Sequence, residues 1–439
     1  MKKLKIGIIL LLIAILILIF TIIIINKQDD LDIPKDYETE VEKEFANDSL
    51  EKVNTNELMQ IDGCIDKYLT SINLKSSLYF GNNENSEYSQ LVDDNFINNK
   101  IIDFLNNDYL DKYDINLQNI REKIEFSELE QEYTILDISK ARSENPNQYI
   151  VYGFLSENYN FKKYVYYIVT VDSVQNAFSI YPIEYSNQDI SDVPLYSSDV
   201  EKNDNNLIPV VSMDNESVCR FYFTIVKNRM AMDDNYTYEI LDDEYRKKRF
   251  ENEEEFEEFL VNNKEEIENW NMNKYKLNSI SSEYIDSMEC LVADQYNNIY
   301  TITVNTGLDY KIKLDTYTIL TDKFKTTYDE SGDQYKVAMN VDKWIQMLNN
   351  RDYKTAYSYL DETFRNNNFG SEEAFEQYMR ERYPLHYDFE LGESTETNGT
   401  YTQTVKLTDI TGEDDAVIEN TIIMQLLDNY EFVMSFEVN

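Results

Sequence analysis

Histidine, cysteine, glycine and proline are all scarce in this sequence of 439 residues, which contains one histidine, three cysteines, 10 glycines and 6 prolines. One histidine excludes a histidine-rich metal site, and three scattered cysteines exclude a zinc cluster and a disulfide framework. Neither a glycine-rich phosphate loop nor a Gly-x-Ser-x-Gly nucleophile motif occurs. We therefore expect no catalytic motif, no cofactor and no metal site.

Basic residues are also in the minority: the chain has 83 acidic and 40 basic residues, and its formal net charge is −43. Such a charge repels nucleic acid and anionic lipid, so we expect no nucleic-acid partner. The simplest interpretation of the charge is a solvated surface, and attraction for cations or for a basic partner is the alternative. The 36 tyrosines and 21 phenylalanines supply enough apolar surface for packed cores.

The longest apolar run lies near the start of the chain. Residues 6–25 are apolar except for Gly7 and Thr21, and a helix of about 20 such residues spans the ~30 Å hydrocarbon core of a membrane. Lysines at positions 2, 3 and 5 should hold residues 1–5 in the cytoplasm. We predict a retained, single-pass anchor in the plasma membrane with the remaining chain outside. A cleaved signal peptide is the alternative, although no pair of small residues follows the run.

A motif of Leu-Asp-x-x-aromatic-Arg occurs twice, beginning at Leu241 and at Leu360, an offset of 119 residues (360 − 241). Arg246 and Arg365 keep this offset. So do four aromatic pairs, namely Tyr245/Phe364, Phe250/Phe369, Phe256/Phe375 and Phe259/Tyr378. The period is too long for a solenoid repeat and matches the size of a small domain, so the chain carries duplicated domains.

Composition divides the rest of the chain into a charged stalk (26–54), a first domain (55–185), a linker (186–210), a second domain (211–324), a short linker or turn (325–333) and a third domain (334–439). In each domain helical spacings precede strand-like alternation. Domains 2 and 3 should have three helices before a four-stranded antiparallel sheet. The first domain is the most diverged, and Val92-Asp93-x-x-Phe96 is its counterpart of the motif, without the arginine.

The repeated pattern resembles a known superfamily. An aromatic-rich short helix, Leu-Asp-x-x-Phe/Tyr-Arg, and then Ser/Asn-Glu-Glu-x-Phe-x-x-Phe/Tyr at residues 252–259 and 371–378 are similar to extracytoplasmic bacterial members of the nuclear-transport-factor-two-like superfamily, also called the cystatin-like cone. The resemblance implies an α+β fold with helices packed on a curved antiparallel sheet. The superfamily includes isomerases, dehydratases, binding domains and assembly proteins, so it does not select an activity. An anchor before tandem cone domains also resembles the bitopic scaffold subunits of conjugative transfer machines.

Three residues are candidates for a functional role. His386 is the single histidine and could act as a general base beside a carboxylate. We expect it instead to be exposed or hydrogen-bonded at a strand edge, and a His386 buried in the third cone facing Asp, Glu or Tyr would indicate catalysis. Arg246 and Arg365 should tie helices to a carboxylate or to helix-end carbonyls within their own domains. The alternative is an anion ligand at the mouth of each cone.

The cysteines leave one question open. Cys219 and Cys290 fall within one domain and could pair, whereas Cys64 lies far from both in the sequence. We expect isolated buried thiols.

Together these features predict a membrane-anchored, extracytoplasmic scaffold or binding protein of a bacterial envelope, without enzymatic activity. A secretion or conjugation-type assembly would suit its layout, and the sequence leaves its partner proteins and oligomeric state open. One alternative is an enzyme, of isomerase or hydrolase type, that uses the cone pocket of the third domain. Another is a binder of cell-wall glycans.

Overall fold

The computed structural model describes residues 50–80, 94–127, 129–141, 147–184, 200–232, 237–282, 285–411 and 417–438. The predicted cytoplasmic tail (1–5), the anchor at 6–25 and most of the predicted stalk lie outside these ranges. Within the described ranges, no helix combines the length and the apolar character needed to cross a membrane.

The described chain is an α+β protein with three helix–sheet modules, and in each module the helices precede the main strands. Module 1 contains α1 (Thr55–Phe80), α2 (Asp94–Phe104), α3 (Asn107–Tyr113) and α4 (Ile120–Lys123). Module 2 contains α5 (Asn215–Ala231), α6 (Thr237–Ile240), α7 (Asp243–Arg249), α8 (Glu253–Asn262) and α9 (Lys264–Glu268). After α10 (Asp322–Glu330), module 3 contains α11 (Asp333–Asn349), α12 (Tyr353–Ser358), α13 (Glu362–Asn368) and α14 (Glu372–Arg382).

Each module closes with an antiparallel sheet whose strands lie in chain order. Sheet 1 consists of the short edge strand β1 (Leu50–Lys52) and of β2 (Gln131–Ala141), β3 (Asn147–Glu157), β4 (Asn160–Asp172) and β5 (Ala177–Glu184). Sheet 2 consists of β6 (Met272–Ser282), β7 (Ile285–Asp294), β8 (Ile299–Thr306) and β9 (Asp309–Lys313). Sheet 3 consists of β10 (Tyr387–Thr397), β11 (Thr400–Asp409), β12 (Val417–Leu426) and β13 (Phe432–Phe436).

Residue alternation explains how sheet 3 packs. Along β11, Tyr401, Gln403, Val405 and Leu407 are buried while the residues between them are not, as expected for a strand with one face on a core. The register pairs Val405 with Asn420 and Met424 with Met434, which brings buried side chains of three strands together. The antiparallel four-stranded sheets predicted for domains 2 and 3 are therefore confirmed.

The repeated motif occupies the same structural position in modules 2 and 3. Leu241 forms an isolated parallel bridge with Ile312 on the last strand of sheet 2, and Leu360 does the same with Met434 on the last strand of sheet 3. The next residue caps a helix in both cases, since the Asp242 and Asp361 carboxylates accept hydrogen bonds from backbone N–H groups of α7 and α13.

Module 1 contains a counterpart of this motif at a place the sequence did not indicate. Leu105 bridges Ile180 on the last strand of sheet 1, and the side chain of the following Asn106 caps α3. The equivalent sequence is thus Leu105-Asn106-x-x-Tyr109, at an offset of 136 residues from Leu241 (241 − 105). The predicted counterpart ending at Phe96 is wrong, because Phe96 lies within α2 and is 56% exposed.

The apolar cores follow a different division from the sheets. Modules 1 and 2 share one continuous cluster of buried side chains, which includes Leu58, Phe178, Tyr222 and Phe250. Module 3 has its own cluster around Trp344, Phe375 and Met424, and Tyr317 joins it from the connection after β9. Aliphatic side chains outnumber aromatic ones in both clusters, and burial of their apolar surface contributes most of the stability of such cores.

Two predicted connections differ from expectation. The segment 325–333, predicted as a turn or short linker, is mostly helical because α10 continues to Glu330 after a Thr321 side-chain cap. In the predicted linker 186–210, the part from residue 200 onward packs on module 1: Phe178 N–H donates to the Asn206 carbonyl, and Asn206 is 1% exposed. Modules 2 and 3 also contain more helical segments than the three expected.

Candidate functional site

The two repeated arginines stack on equivalent tyrosines. The Arg246 guanidinium lies 4.9 Å from the ring centre of Tyr238, and that of Arg365 lies 5.4 Å from Tyr357. The two tyrosines obey the repeat offset of 119 (357 − 238). Arg246 also lies 3.5 Å from the exposed Asp243 carboxylate in its own module. In the described part of the chain, Arg365 has neither a carboxylate within ion-pair distance nor a side-chain hydrogen bond to a helix-end carbonyl, the two kinds of partner expected for it, and its guanidinium contacts the Tyr357 ring instead.

A third arginine, Arg249, does not recur in the repeat and is more deeply buried than Arg246. Arg249 ends α7, its side chain is 8% exposed, and its Nε lies 3.2 Å from Asp352 and 3.8 Å from Asp315. Asp315 follows sheet 2, whereas Asp352 caps α12 of module 3. Tyr245 donates its hydroxyl hydrogen to Asp315 over 2.7 Å, and Tyr317 donates to Asp352 over 3.1 Å. We call these five residues the Arg249 junction.

Within the Arg249 junction, burial and the attraction between opposite charges shift the pKa values in opposing directions. Burial raises the pKa of Asp315, and the Arg249 guanidinium opposes this shift. For Arg249 itself burial disfavours the charged form, but the Asp352 and Asp315 carboxylates outweigh burial and raise its pKa above the ordinary value. The guanidinium is therefore permanently charged and holds two carboxylates from the two modules in one buried cluster.

Further ion pairs extend this contact between modules 2 and 3. Lys354 of α12 lies 2.9 Å from both Glu251 and Glu255 of module 2. Arg351 lies 3.5 Å from Glu266 of α9. In these pairs module 3 supplies the cations and module 2 the anions, so the pairs favour this pairing of faces over others.

His386 also lies at this contact. Of the two positions expected for it, exposed or hydrogen-bonded at a strand edge, the first is wrong, and its Nε2 lies 3.5 Å from a guanidinium nitrogen of Arg351 just before the edge strand β10. His386 is 4% exposed, its ring stacks on Tyr296 at 4.0 Å, and its Nε2 lies 3.3 Å from Glu266. It precedes β10, and only its backbone carbonyl takes part in pairing, with Ile410. The carboxylate and the tyrosine that face His386 belong to module 2, so the histidine fills an intermodule contact instead of the interior of module 3.

A cleft opens on the other side of module 2, where it meets module 1. Its volume is about 420 Å³. One wall is the stripe of α1 that carries Asp62, Asp66 and Leu69, a spacing that places these side chains on one helix face. The opposite walls come from α5 and from Trp270 just before β6.

The two carboxylates of α1 dominate the electrostatics of this cleft. Burial, with the neighbouring Asp66 carboxylate as a second cause, raises the pKa of Asp62 to about 7 although its side chain stays partly accessible. Partial desolvation by the surrounding protein and the Glu130 carboxylate also raise the pKa of Asp66, although its side chain is exposed at the edge of the cleft. No hydrogen-bond or ion-pair partner of either carboxylate occurs among the residues that the structure describes. Asp62 thus titrates near neutral pH.

The cysteines are all buried and free. The Cys219 thiol on α5 and the Cys290 thiol on β7 are in hydrogen-bonding contact without a disulfide. Within the described ranges, no group of three or more His, Cys, Asp or Glu side chains is arranged to hold a metal ion.

The arrangement provides a cleft with a titratable carboxylate and a set of buried intermodule contacts, and neither could be located from the sequence. Asp62, Ile65, Asp66 and Leu69 have a helical spacing in the sequence, but this spacing does not indicate which part of the protein faces these side chains. No protein-family model matches the chain, and no curated protein or solved structure matches it either.

Proposed function

We propose that this protein is a non-enzymatic scaffold of a bacterial envelope, anchored by residues 6–25 and holding three cone-like domains in fixed relative positions outside the plasma membrane. The modules correspond to these domains, and the resemblance to the nuclear-transport-factor-two-like superfamily is part of the same proposal. Its partners are other envelope proteins, in an assembly of secretion or conjugation type.

The Arg249 junction is the observation that supports this role most directly. A buried guanidinium between carboxylates of modules 2 and 3 is costly to separate, because opening the contact would leave unpaired charges in a poorly solvated place. Modules 1 and 2 are joined by a shared apolar core. Flexibly linked binding domains need neither feature, since their interfaces are usually small and polar.

The interiors of the modules argue against the pocket enzyme. Phe250 and Phe256 in module 2 and Phe375 and Met379 in module 3 are at most 2% exposed. Aromatic side chains therefore fill the space that a substrate would need in a cone. The ring and the carboxylate that face the His386 side chain, Tyr296 and Glu266, both belong to module 2.

Distance measurements between spin labels test the fixed geometry. Cysteines introduced at the exposed positions Lys276 on sheet 2 and Thr397 on sheet 3 can be labelled selectively, because Cys64, Cys219 and Cys290 are each 0% exposed. We expect one narrow distance distribution in the full-length protein. Arg249→Met should broaden it, whereas Arg246→Met, which removes a partly exposed arginine on the same helix, should not. A broad distribution in the unmodified protein contradicts a scaffold.

Membrane fractionation tests the anchor. The full-length protein should resist carbonate extraction, and an external protease should cut at Lys35 and beyond in intact cells. Recovery of a soluble product that starts near Asn26 or later would show a cleaved signal peptide instead.

A further inference from the structure

Module 2 contains two of the three cysteines of the chain, and they lie side by side. Cys219 is on α5 and Cys290 is on β7, a strand against which α5 packs. Both residues are 0% exposed within the core that modules 1 and 2 share, and their thiols contact each other. The third cysteine, Cys64, lies on α1 of module 1.

Module 3 shows that packing alone does not require cysteine at these two places. α5 and α11 each have 17 residues, and β7 and β11, each the second strand of its four-stranded sheet, both have 10. Cys219 is the fifth residue of its helix, where module 3 has Val337, and Cys290 is the sixth of its strand, where module 3 has Val405. Both valines are buried in the core of module 3. Small apolar side chains are therefore sufficient there, whereas module 2 has a thiol at both positions.

Two other roles of cysteine fit these positions less well. A reactive thiol must be accessible, whereas both residues are 0% exposed. A structural zinc site takes four ligands, and no group of three or more His, Cys, Asp or Glu side chains is arranged to hold a metal in the described ranges. A disulfide needs only two thiols that can reach each other, and this pair meets that condition.

We propose that Cys219 and Cys290 form a disulfide when the protein folds in an oxidising environment, and that this bond joins α5 to sheet 2. The inference rests on the export proposed above, because disulfides persist mainly outside the cytoplasm. The structure described here corresponds to the reduced form of the pair. The bond closes a loop of 71 positions (290 − 219) that includes α6–α9 and β6. Closing a loop of this length restricts the unfolded chain and so stabilises module 2.

Burial determines when the bond can form. The oxidant is a disulfide, carried by a thiol–disulfide oxidoreductase of the envelope. The thiolate of one cysteine attacks it to give a mixed disulfide, and the thiolate of the other then displaces the carrier from that sulfur. The cysteines lose two protons and two electrons, and the oxidant takes up both and leaves as two thiols. In the folded protein both cysteines are shielded, and the contact with Cys219 and burial raise the pKa of Cys290, so the reaction precedes closure of the core.

Oxidative refolding of the purified full-length protein tests the inference. The protein is reduced and unfolded in urea, and then refolded in neutral detergent in mixtures of reduced and oxidised glutathione. Its remaining thiols are alkylated and identified by mass spectrometry. We expect one disulfide, between Cys219 and Cys290, with Cys64 left free. The same mixtures should oxidise the folded, reduced protein at least about tenfold more slowly, because both thiols are buried.

The glutathione equilibrium distinguishes a disulfide that the fold favours from chance pairing. A disulfide that stabilises the fold must itself be favoured by the fold by the same factor. We therefore expect the equilibrium constant for pairing to be at least about 30-fold larger in the folded protein than in urea.

Thermal melts with matched variants measure the same coupling. Reduction in urea followed by refolding should lower the melting temperature of the unmodified protein and of Cys64→Ala by at least about 5 °C. It should not change the melting temperature of Cys219→Ala or Cys290→Ala, since neither can form the bond. Where an alanine variant does not fold, valine, the residue that module 3 has at the same place, replaces it.

The state of the cysteines in cells tests the export separately. Full-length protein that is alkylated during lysis and recovered from the membrane should contain one free thiol, that of Cys64. Three free thiols in cells together with pairing on refolding would contradict the export and support the inference about the pair.

Three results of the refolding experiment would overturn the inference. They are three free thiols or only glutathione adducts after refolding, a disulfide that includes Cys64, and an equilibrium constant no larger in the folded protein than in urea. A melting temperature that falls equally on reduction in Cys219→Ala and in the unmodified protein would overturn it as well. None of these results bears on the spin-label test of the scaffold.

Discussion

Arg249 and Arg246 lie on one helix, three residues apart, yet their surroundings make their contributions to stability very different in size. Replacing Arg249 leaves Asp315 and Asp352 close together and buried without a cation. We expect Arg249→Met to lower the free energy of unfolding by about 3–5 kcal/mol. Arg246→Met removes a half-buried ring contact and a pair with an exposed carboxylate, so it should cost about 0.5–1 kcal/mol. Urea denaturation of both variants measures the difference, and equal losses would contradict the junction.

Asp62 affects stability in the direction opposite to that of a salt-bridged carboxylate. Its pKa rises from the ordinary value of 3.8 to about 7 in the folded protein. Between these values the folded state holds a proton that the unfolded state has lost, so the free energy of unfolding falls as the pH rises. Asp62→Asn removes that loss, and we expect it to stabilise the protein at pH 8.5 by about 1–3 kcal/mol, a range that allows for water in the open cleft.

The pH dependence of this effect is the decisive measurement. Because part of the loss has already occurred at pH 5.5, the gain from Asp62→Asn should be smaller there than at pH 8.5. Asp111→Asn provides the baseline for removing one exposed acidic charge from a chain with a net charge of −43. A gain that is the same at both pH values would mean that Asp62 has an ordinary pKa.

At the scale of elements, the turn between β8 and β9 joins module 2 to module 1. Gly307 has a φ of +51°, its carbonyl accepts from Tyr222, and a Cβ there would overlap the Val53 carbonyl. Gly399 occupies the turn between β10 and β11 with a φ of +77°, and a Cβ added there would meet no atom within 4 Å. Both turns therefore have a left-handed backbone that suits glycine, and only the turn at Gly307 contacts module 1.

Alanine substitution at these two glycines separates strain from contact. Gly399→Ala should cost about 1 kcal/mol, the penalty of a left-handed backbone at a residue with a Cβ. Gly307→Ala should cost at least about 2 kcal/mol more, because Val53 or the turn must move. Thermal and urea melts give both values. Similar losses for the two variants would show that the turn yields without disturbing module 1.

Much of the element pattern could be predicted from the sequence because it depends on local periodicity. Strand-like alternation was predicted for each domain, and Tyr401 to Leu407 show it in β11. The Leu-Asp motif was recognised only as a repeat, and its role as a helix cap in modules 2 and 3 is a finding of the structure. The counterpart at Leu105 was missed because Asn106 replaces the aspartate and Leu110 the arginine. A cap needs only a side-chain acceptor, so the structure tolerates a change that obscures the motif.

The candidate sites could not be predicted in the same way, for a physical reason. Residues that recur at the repeat offset, such as Arg246 and Arg365, serve contacts within each module. Contacts between modules 2 and 3 need residues that differ between the two repeats. At the repeat offset of 119, the position equivalent to Arg249 in module 3 is Asn368 (249 + 119). The cleft likewise depends on which face of α1 meets α5. The repeated residues therefore predicted the fold of each module, but they could not predict the Arg249 junction, whose central residue is not repeated.

For the whole molecule, the two cores and the buried charge cluster of the Arg249 junction predict how it unfolds. Modules 1 and 2 share a core and should melt as one unit, whereas module 3 has a core of its own. The Arg249 junction and the neighbouring ion pairs couple the two blocks, and coupling by several kcal/mol merges transitions that would otherwise separate. We expect one calorimetric transition in the unmodified protein and two in Arg249→Met, the less stable block melting first.

Lys354→Met, which removes only exposed ion pairs, should leave a single transition, because exposed pairs contribute about 0–1 kcal/mol. Two transitions in the unmodified protein would mean that the modules fold independently and that the junction does not hold them in place.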